Sequence, residues 1–216
     1  MPSIDALQQL YATGGPVIAV LAAMSLLAAT IILAKALQFS LERVHRVAEA
    51  RTAVGLFIDG DTAAARALVE KTRAPAARIA AEAMAGLADG VVDEEKLRET
   101  VTRLGNDELR GLRSGLRPLE LIASLAPLLG LLGTVLGMIE AFQAIERDSA
   151  GVSPAVLSGG IWQALSTTAF GLGVAIPAVA ALGWLESRLE RLGAEMESLV
   201  SRLFTRTAPA RGGEAG

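Results

Sequence analysis

The run APLLGLLGTVLGM, from Ala126 to Met138, decides the fold. It carries no charge and sits inside the 19 uncharged residues from Leu121 to Ile139, between Glu120 and Glu140. An α-helix needs about 20 apolar residues to cross a hydrocarbon layer about 30 Å thick. Working outward, two further runs meet that requirement. Between Asp148 and Glu186 lie 37 uncharged residues, of which Ile161 to Leu185 are the apolar part. Between Asp5 and Lys35 lie 29, with the apolar part running from Pro16 to Leu37. A buried helix of a soluble protein imitates one such run, but not three in 216 residues. The fold class expected is an all-α membrane protein with three transmembrane helices.

Composition agrees. The chain is 52% hydrophobic but 20% charged, with a mean hydropathy of +0.45, because charge and apolar residues are segregated into blocks. The first run lacks a basic segment before it and is too long for a cleavable leader, so it reads as a retained helix. Lysine and arginine set the orientation. Thirteen stand in the segment 39–118 and five in the tail after the third run, against Arg147 alone on the opposite side. The expected arrangement is therefore 1–38 amino terminus and first span, 39–118 cytoplasmic helical segment and 119–142 second span. It continues with 143–160 periplasmic loop, 161–185 third span and 186–216 cytoplasmic helix and disordered tail. The amino terminus is outside and the carboxyl terminus inside.

The segment 39–118 is rich in Ala, Leu, Arg and Glu without strand-like alternation, so it is helical. Gly60-Asp61 breaks it, Thr62 to Lys71 is a short amphipathic stretch ahead of Pro75, and Asp89-Gly90 is a turn signal. Asp93 reads as an N-cap with Glu94 and Glu95 in the first turn. The pattern then continues from Glu94 to Phe142, which predicts one helix with bends at Pro118 and Pro127. The third span is expected to extend to about Phe204.

The second span carries Gly130, Gly133 and Gly137, which include a Gly-x-x-x-Gly pair suited to close helix packing in lipid. Thr134 is its one central hydroxyl, readable either as back-bonding to its own helix or as polar lining. In the third span Ala164, Thr168, Gly171 and Ala175 fall on one helical face. Ser166, Thr167 and Thr168 form a hydroxyl cluster with Gln163 one turn before Thr167. Such a stripe either packs helices or lines a narrow polar path. Pro177 removes one backbone donor and is a candidate kink. Glu140 lies near the outer end of the second span, at the interface. No acidic residue occupies the middle of a span, so a proton path confined to this chain has no carrier.

Other chemistry is sparse. There is no cysteine, and the one histidine, His45, stands between Arg43 and Arg46 as a solvated boundary residue. No metal site, cofactor, nucleic-acid contact or catalytic constellation is expected.

Together, Ala126 to Met138 and ALSTTAFGLGVAIPA (Ala164 to Ala178) resemble the MotA/TolQ/ExbB proton-channel family. The three-span topology is similar to its ExbB/TolQ-like branch. The resemblance implies a pentamer in the bacterial inner membrane, whose second and third spans surround the single helices of an ExbD/TolR-like dimer. The partner would carry the protonatable aspartate, with Thr134 and Thr168 facing it and Gln163 and Thr167 also lining the ion path. Gly130, Gly133, Gly137, Ala164, Gly171, Ala175 and Pro177 would pack the helices. The motor would power periplasmic or outer-membrane transport through a TonB- or TolA-like protein. One position departs: many members carry glutamate five residues before the third-span threonine, and here it is Gln163, which cannot change protonation state. The alternative is a structural or assembly scaffold that uses the same small faces without conducting protons.

Overall fold

The computed structural model describes residues 4–42, 47–72, 74–89, 93–147 and 154–207. His45 and the carboxyl end from 208 onward lie outside them. The described residues form seven helices and no strand: α1 (Ile4–Leu41), α2 (Val47–Ile58), α3 (Thr62–Glu70), α4 (Pro75–Asp89), α5 (Glu94–Arg113), α6 (Arg117–Arg147) and α7 (Pro154–Thr207). Three are long and apolar enough to cross a membrane, over Gly15–Leu41, Arg117–Glu146 and Leu157–Thr205. The chain is an all-α membrane protein, as its uncharged runs require.

Two compact units divide the chain: residues 1–34 with 115–184, and residues 35–114 with 185–216. In the first, the span unit, α1 is interrupted at Gly15, whose φ of 62° leaves the helical region, and regular helix resumes at Pro16. Proline suits a helical first turn because its missing N–H would have no intrahelical partner there. Val17 and Leu21 of α1 are buried with Ala126 of α6 and Ala175 of α7. The larger apolar side chains point outward, among them Leu26, Leu33, Leu128, Leu131, Leu165 and Ile176. That inversion, small inside and large outside, is what lipid solvation of the outer face permits.

The second unit is a helical bundle built from locally encoded pieces. α2 ends in a Schellman motif: Gly60 has φ 94°, its N–H reaches Phe57 O at 3.2 Å, and Asp61 N–H reaches Leu56 O at 2.9 Å. Asp61 then caps α3, accepting from Ala64 N–H at 3.0 Å. Pro75 opens α4. Asp93 caps α5, accepting from Glu95 N–H at 3.1 Å, with Glu94 and Glu95 at the positive end of the helix dipole and Arg110 and Arg113 at the negative end. The core is alanine-rich, with Ala50, Ala53, Ala65, Ala76, Ala80 and Ala83 fully buried, and it is completed by Val54, Val101, Leu112 and the leucines of α7. Ion pairs join α2 to α7 (Arg51–Glu195) and α4 to α5 (Arg78–Glu108, 2.7 Å).

One expectation is corrected. The helix predicted from Glu94 to Phe142 is two helices, because α5 stops at Arg113 and α6 begins at Arg117. Gly115 adopts φ 79°, a left-handed conformation open to glycine, and Ser114 is extended (φ −56°, ψ 139°). Pro118 sits in the first turn of α6, where the missing donor costs nothing. Pro127 and Pro177 lie inside α6 and α7.

Candidate functional site

The small residues of the second and third spans meet as one antiparallel seam within the chain. A Cβ placed on Gly137 would stand 3.3 Å from Ala164 Cα, and one on Gly133 2.6 Å from Thr167 Oγ1. A Cβ on Gly130 would lie 3.0 Å from Thr167 O and 3.1 Å from Thr168 Cα. One on Gly171 would stand 2.5 Å from Ala126 O and 3.0 Å from Gly130 Cα. At the far end a Cβ on Gly160 would meet Ala141 Cβ at 2.4 Å. At Gly130 and Gly171 the helices touch backbone to backbone, while Gly133 and Gly160 leave room for the side chains of Thr167 and Ala141.

Three threonines accompany the seam in different ways. Thr167 is 2% exposed, and its hydroxyl donates to Ala164 O at 2.7 Å, with Gly130 O at 3.4 Å. Thr168 is half-buried, and its hydroxyl crosses to the other helix, donating to Gly130 O at 3.0 Å. Thr134 is half-exposed and donates back to Leu131 O at 2.6 Å, so the back-bonding considered for it is present. In each case the hydrogen is used and the remaining oxygen lone pairs are acceptors. The Thr134 and Thr168 residues are partly accessible, whereas Thr167 is enclosed between the helices. Gln163 is half-buried on α7, and Glu140 is exposed.

Most of the packing residues expected from sequence lie in the seam or its buried face: Gly130, Gly133, Gly137, Ala164, Gly171 and Ala175. Pro177 does not. It is exposed between buried Ala175 and Ala178, because the buried stripe of α7 runs Ala164, Thr167, Gly171, Ala175, Ala178. Sequence reasoning passed over Ala126, Ala141 and Gly160, although Ala126, Gly130, Gly133, Gly137 and Ala141 form a series at helical spacing. Among the described residues no cluster of His, Cys, Asp or Glu could hold a metal ion.

Three lipid-length helices, the second and third joined through a glycine seam that the Thr168 hydroxyl bridges, define a multi-span membrane protein. The model of the MotA/TolQ/ExbB proton channel family matches residues 71–198, more than half of the chain, and the chain belongs to that family. It is 43% identical over 105 residues to the biopolymer transport protein exbB1 of Vibrio cholerae, covering 48% of this chain and 46% of that protein. To the Tol-Pal system protein TolQ of Haemophilus influenzae it is 35% identical over 100 residues, 46% of this chain and 43% of the other. To the biopolymer transport protein ExbB of Neisseria gonorrhoeae it is 32% identical over 160 residues, 68% of this chain and 72% of the other. The matched segment thus spans less than half of the Vibrio and Haemophilus proteins and most of the Neisseria one.

Proposed function

We propose that this chain is the multi-span subunit of a proton-motive-force-driven motor of the ExbB/TolQ type. It would stand in the inner membrane with its amino terminus in the periplasm and its bundle in the cytoplasm. Copies of the chain, five by the family resemblance, surround an ExbD/TolR-like single-span dimer and power periplasmic or outer-membrane transport, with a TonB- or TolA-like protein as the recipient of the work. Thr134, Thr168 and Gln163 line the path, while Thr167 holds the seam behind it.

The observation that carries this reading is a division of labour in the span unit. Thr134 and Thr168 are half-exposed on the two spans, each with its hydroxyl hydrogen donated to a backbone carbonyl, and the uncharged stretches around them hold no carboxylate. Hydroxyls and an amide can solvate a proton but cannot carry one across, so the carrier belongs to a partner helix. The scaffold reading also has an observation in its favour: Thr168 bonds across the seam to Gly130 O, which is a packing role.

The experiment separates the two. With the chain and its single-span partner co-reconstituted in liposomes, Thr134→Val with Thr168→Val should lower proton flux at least about tenfold, the scale of losing a solvating group in a desolvated site. The mass of the complex should be unchanged. Thr168→Ser, which keeps the hydroxyl, should retain flux. Wild-type flux in the double valine variant, or loss of assembly with normal flux in whatever assembles, favours the scaffold.

A further inference from the structure

Lys35 is the one charged residue among the described residues that is buried, at 8% exposure. Taking an ammonium out of water costs several kcal/mol unless partners replace its hydration. Its partners are specific: Nζ donates to Gln38 Oε1 at 2.8 Å and to the backbone carbonyl of Leu112 at 3.0 Å, 77 residues away. Gln38 is itself held in place by donating to Glu42 Oε1 at 2.9 Å. The relay starts at Glu42, just past the end of α1, runs back through Gln38 and Lys35 of that helix and ends on α5.

The carbonyl it reaches is not an ordinary one. The last four carbonyls of a helix have no intrahelical donor. In α5 the Arg110 carbonyl accepts from Ser114 N–H at 2.9 Å, and the Gly111 carbonyl accepts from Ser114 Oγ at 2.6 Å. Leu112 O is the next in line, and its donor comes from α1. A cation at a helix C-terminus also meets the negative end of the dipole. Directly after this cap the chain turns left-handed at Gly115 and starts α6, whose first backbone bond outside the regular ladder is Glu120 N–H to Leu116 O at 3.0 Å.

We infer that Lys35 is a positioning residue: it completes the C-cap of α5 from the first span and so fixes where α5 stops and the elbow into α6 begins. Its contribution to transport rests on the proposed motor function, since α6 carries Thr134. The cap itself does not. The end of α1 thereby acquires a role in the bundle, as the element that completes the cap of α5.

Hydrogen exchange on the full-length chain in lipid nanodiscs tests the cap without any transport assay. Lys35→Met keeps the chain length and removes the charge. Amides from 110 to 116 should then exchange about tenfold faster, the scale of losing a charge-assisted hydrogen bond, while α3 and α4 are unchanged. Lys35→Arg should restore most of the protection. Gln38→Leu leaves the ammonium but removes its orienting amide, and should give a smaller acceleration at the same amides. If Lys35→Met proves unstable, Gln38→Leu carries the test alone. Wild-type exchange at 110–116 in whichever of these variants folds overturns the inference.

Proton flux with the partner adds the positioning readout. Flux should fall about fivefold in Lys35→Met with complex mass and melting temperature unchanged, and return in Lys35→Arg. Flux that stays at the wild-type level despite loosened amides overturns the positioning role. A wild-type complex that conducts no protons defeats the motor function instead, and the exchange result then judges the cap by itself.

Discussion

α7 buries a stripe of side chains in each of its two halves, and the two stripes are made of different residues. In the span unit the stripe is Ala164, Thr167, Gly171, Ala175 and Ala178; in the bundle it is Leu185, Leu189, Leu192, Met196, Leu199 and Leu203. The spacing of three and four residues is the same in both. The solvent is not. Around the bundle half the exposed faces carry Glu186, Arg188, Glu190, Arg191, Glu197 and Arg202, which need water. Burying a leucine there removes apolar surface from water and stabilises by about 1.5–3 kcal/mol. Around the span half the exposed residues are Trp162, Leu165, Phe170, Leu172 and Ile176. Lipid tails are as apolar as leucine, so burying a large side chain against another helix gains little there. Close backbone approach supplies the attraction instead, through dispersion contacts and the Thr168–Gly130 hydrogen bond. One helix thus shows two ways of holding a partner, each suited to its medium.

The largest expected effect breaks the bundle half. Leu199 is 2% exposed, and truncating it leaves a cavity in a close-packed core. Leu199→Ala should destabilise the bundle by about 3 kcal/mol, within the range for buried leucines. Denaturant unfolding followed by tryptophan-independent circular dichroism, with protease sensitivity of residues 185–207 alongside, checks it. A loss below about 1 kcal/mol would mean that this half is not held by leucine burial.

The span half should break in the opposite way, by adding atoms. A methyl on Gly171 meets Ala126 O, a backbone atom that cannot rotate aside. Gly171→Ala should cost about 2 kcal/mol by overpacking and loosen the α6–α7 pair. Gly173→Ala is the control, because nothing lies within 4 Å of its added Cβ and alanine favours helix over glycine by about 0.8 kcal/mol. Disulfide trapping between cysteines placed at Gly137 and Ala164 reads the seam directly. Equal trapping in the two alanine variants would show that backbone approach at Gly171 does not set the seam.

What could be read in advance follows from the same contrast. Lipid demands uncharged runs about 20 residues long, so the three spans and their glycines are visible in sequence. Capping is local, so Asp93, Gly60 and Pro75 are visible too. The stripe of α7 was harder. Successive helical residues differ by about 100°, so Thr167 and Thr168 both fit the face through Ala164 and Gly171. The gap left by Gly133 on the other helix decides that Thr167 is the enclosed one. The elbow at Ser114–Leu116 hides in a helical pattern, because Gly111, Ser114 and Gly115 are each tolerated inside a helix. Lys35 reads as the end of a span, and nothing near it in sequence tells that its ammonium finds a carbonyl 77 residues away.

The smallest effect sharpens the comparison at its wet end. Arg51 and Glu195 form a two-pronged pair between α2 and α7, with Arg51 Nε donating to Glu195 Oε2 at 3.0 Å and a second, shorter contact from Nη2 to Oε1. The side chains are 55% and 30% exposed, so water and salt screen the pair. A double-mutant cycle with Arg51→Met and Glu195→Gln should give a coupling of about 0.5 kcal/mol at low salt, shrinking toward zero near 1 M salt. The leucines beside it should be indifferent to salt over that range, or slightly strengthened by it. A coupling well above 1 kcal/mol that survives high salt would place the pair in a drier setting than its exposure indicates. The bundle half would then owe its hold to charge as well as to leucine, and the division of α7 into a water half and a lipid half would need a third term at their expense.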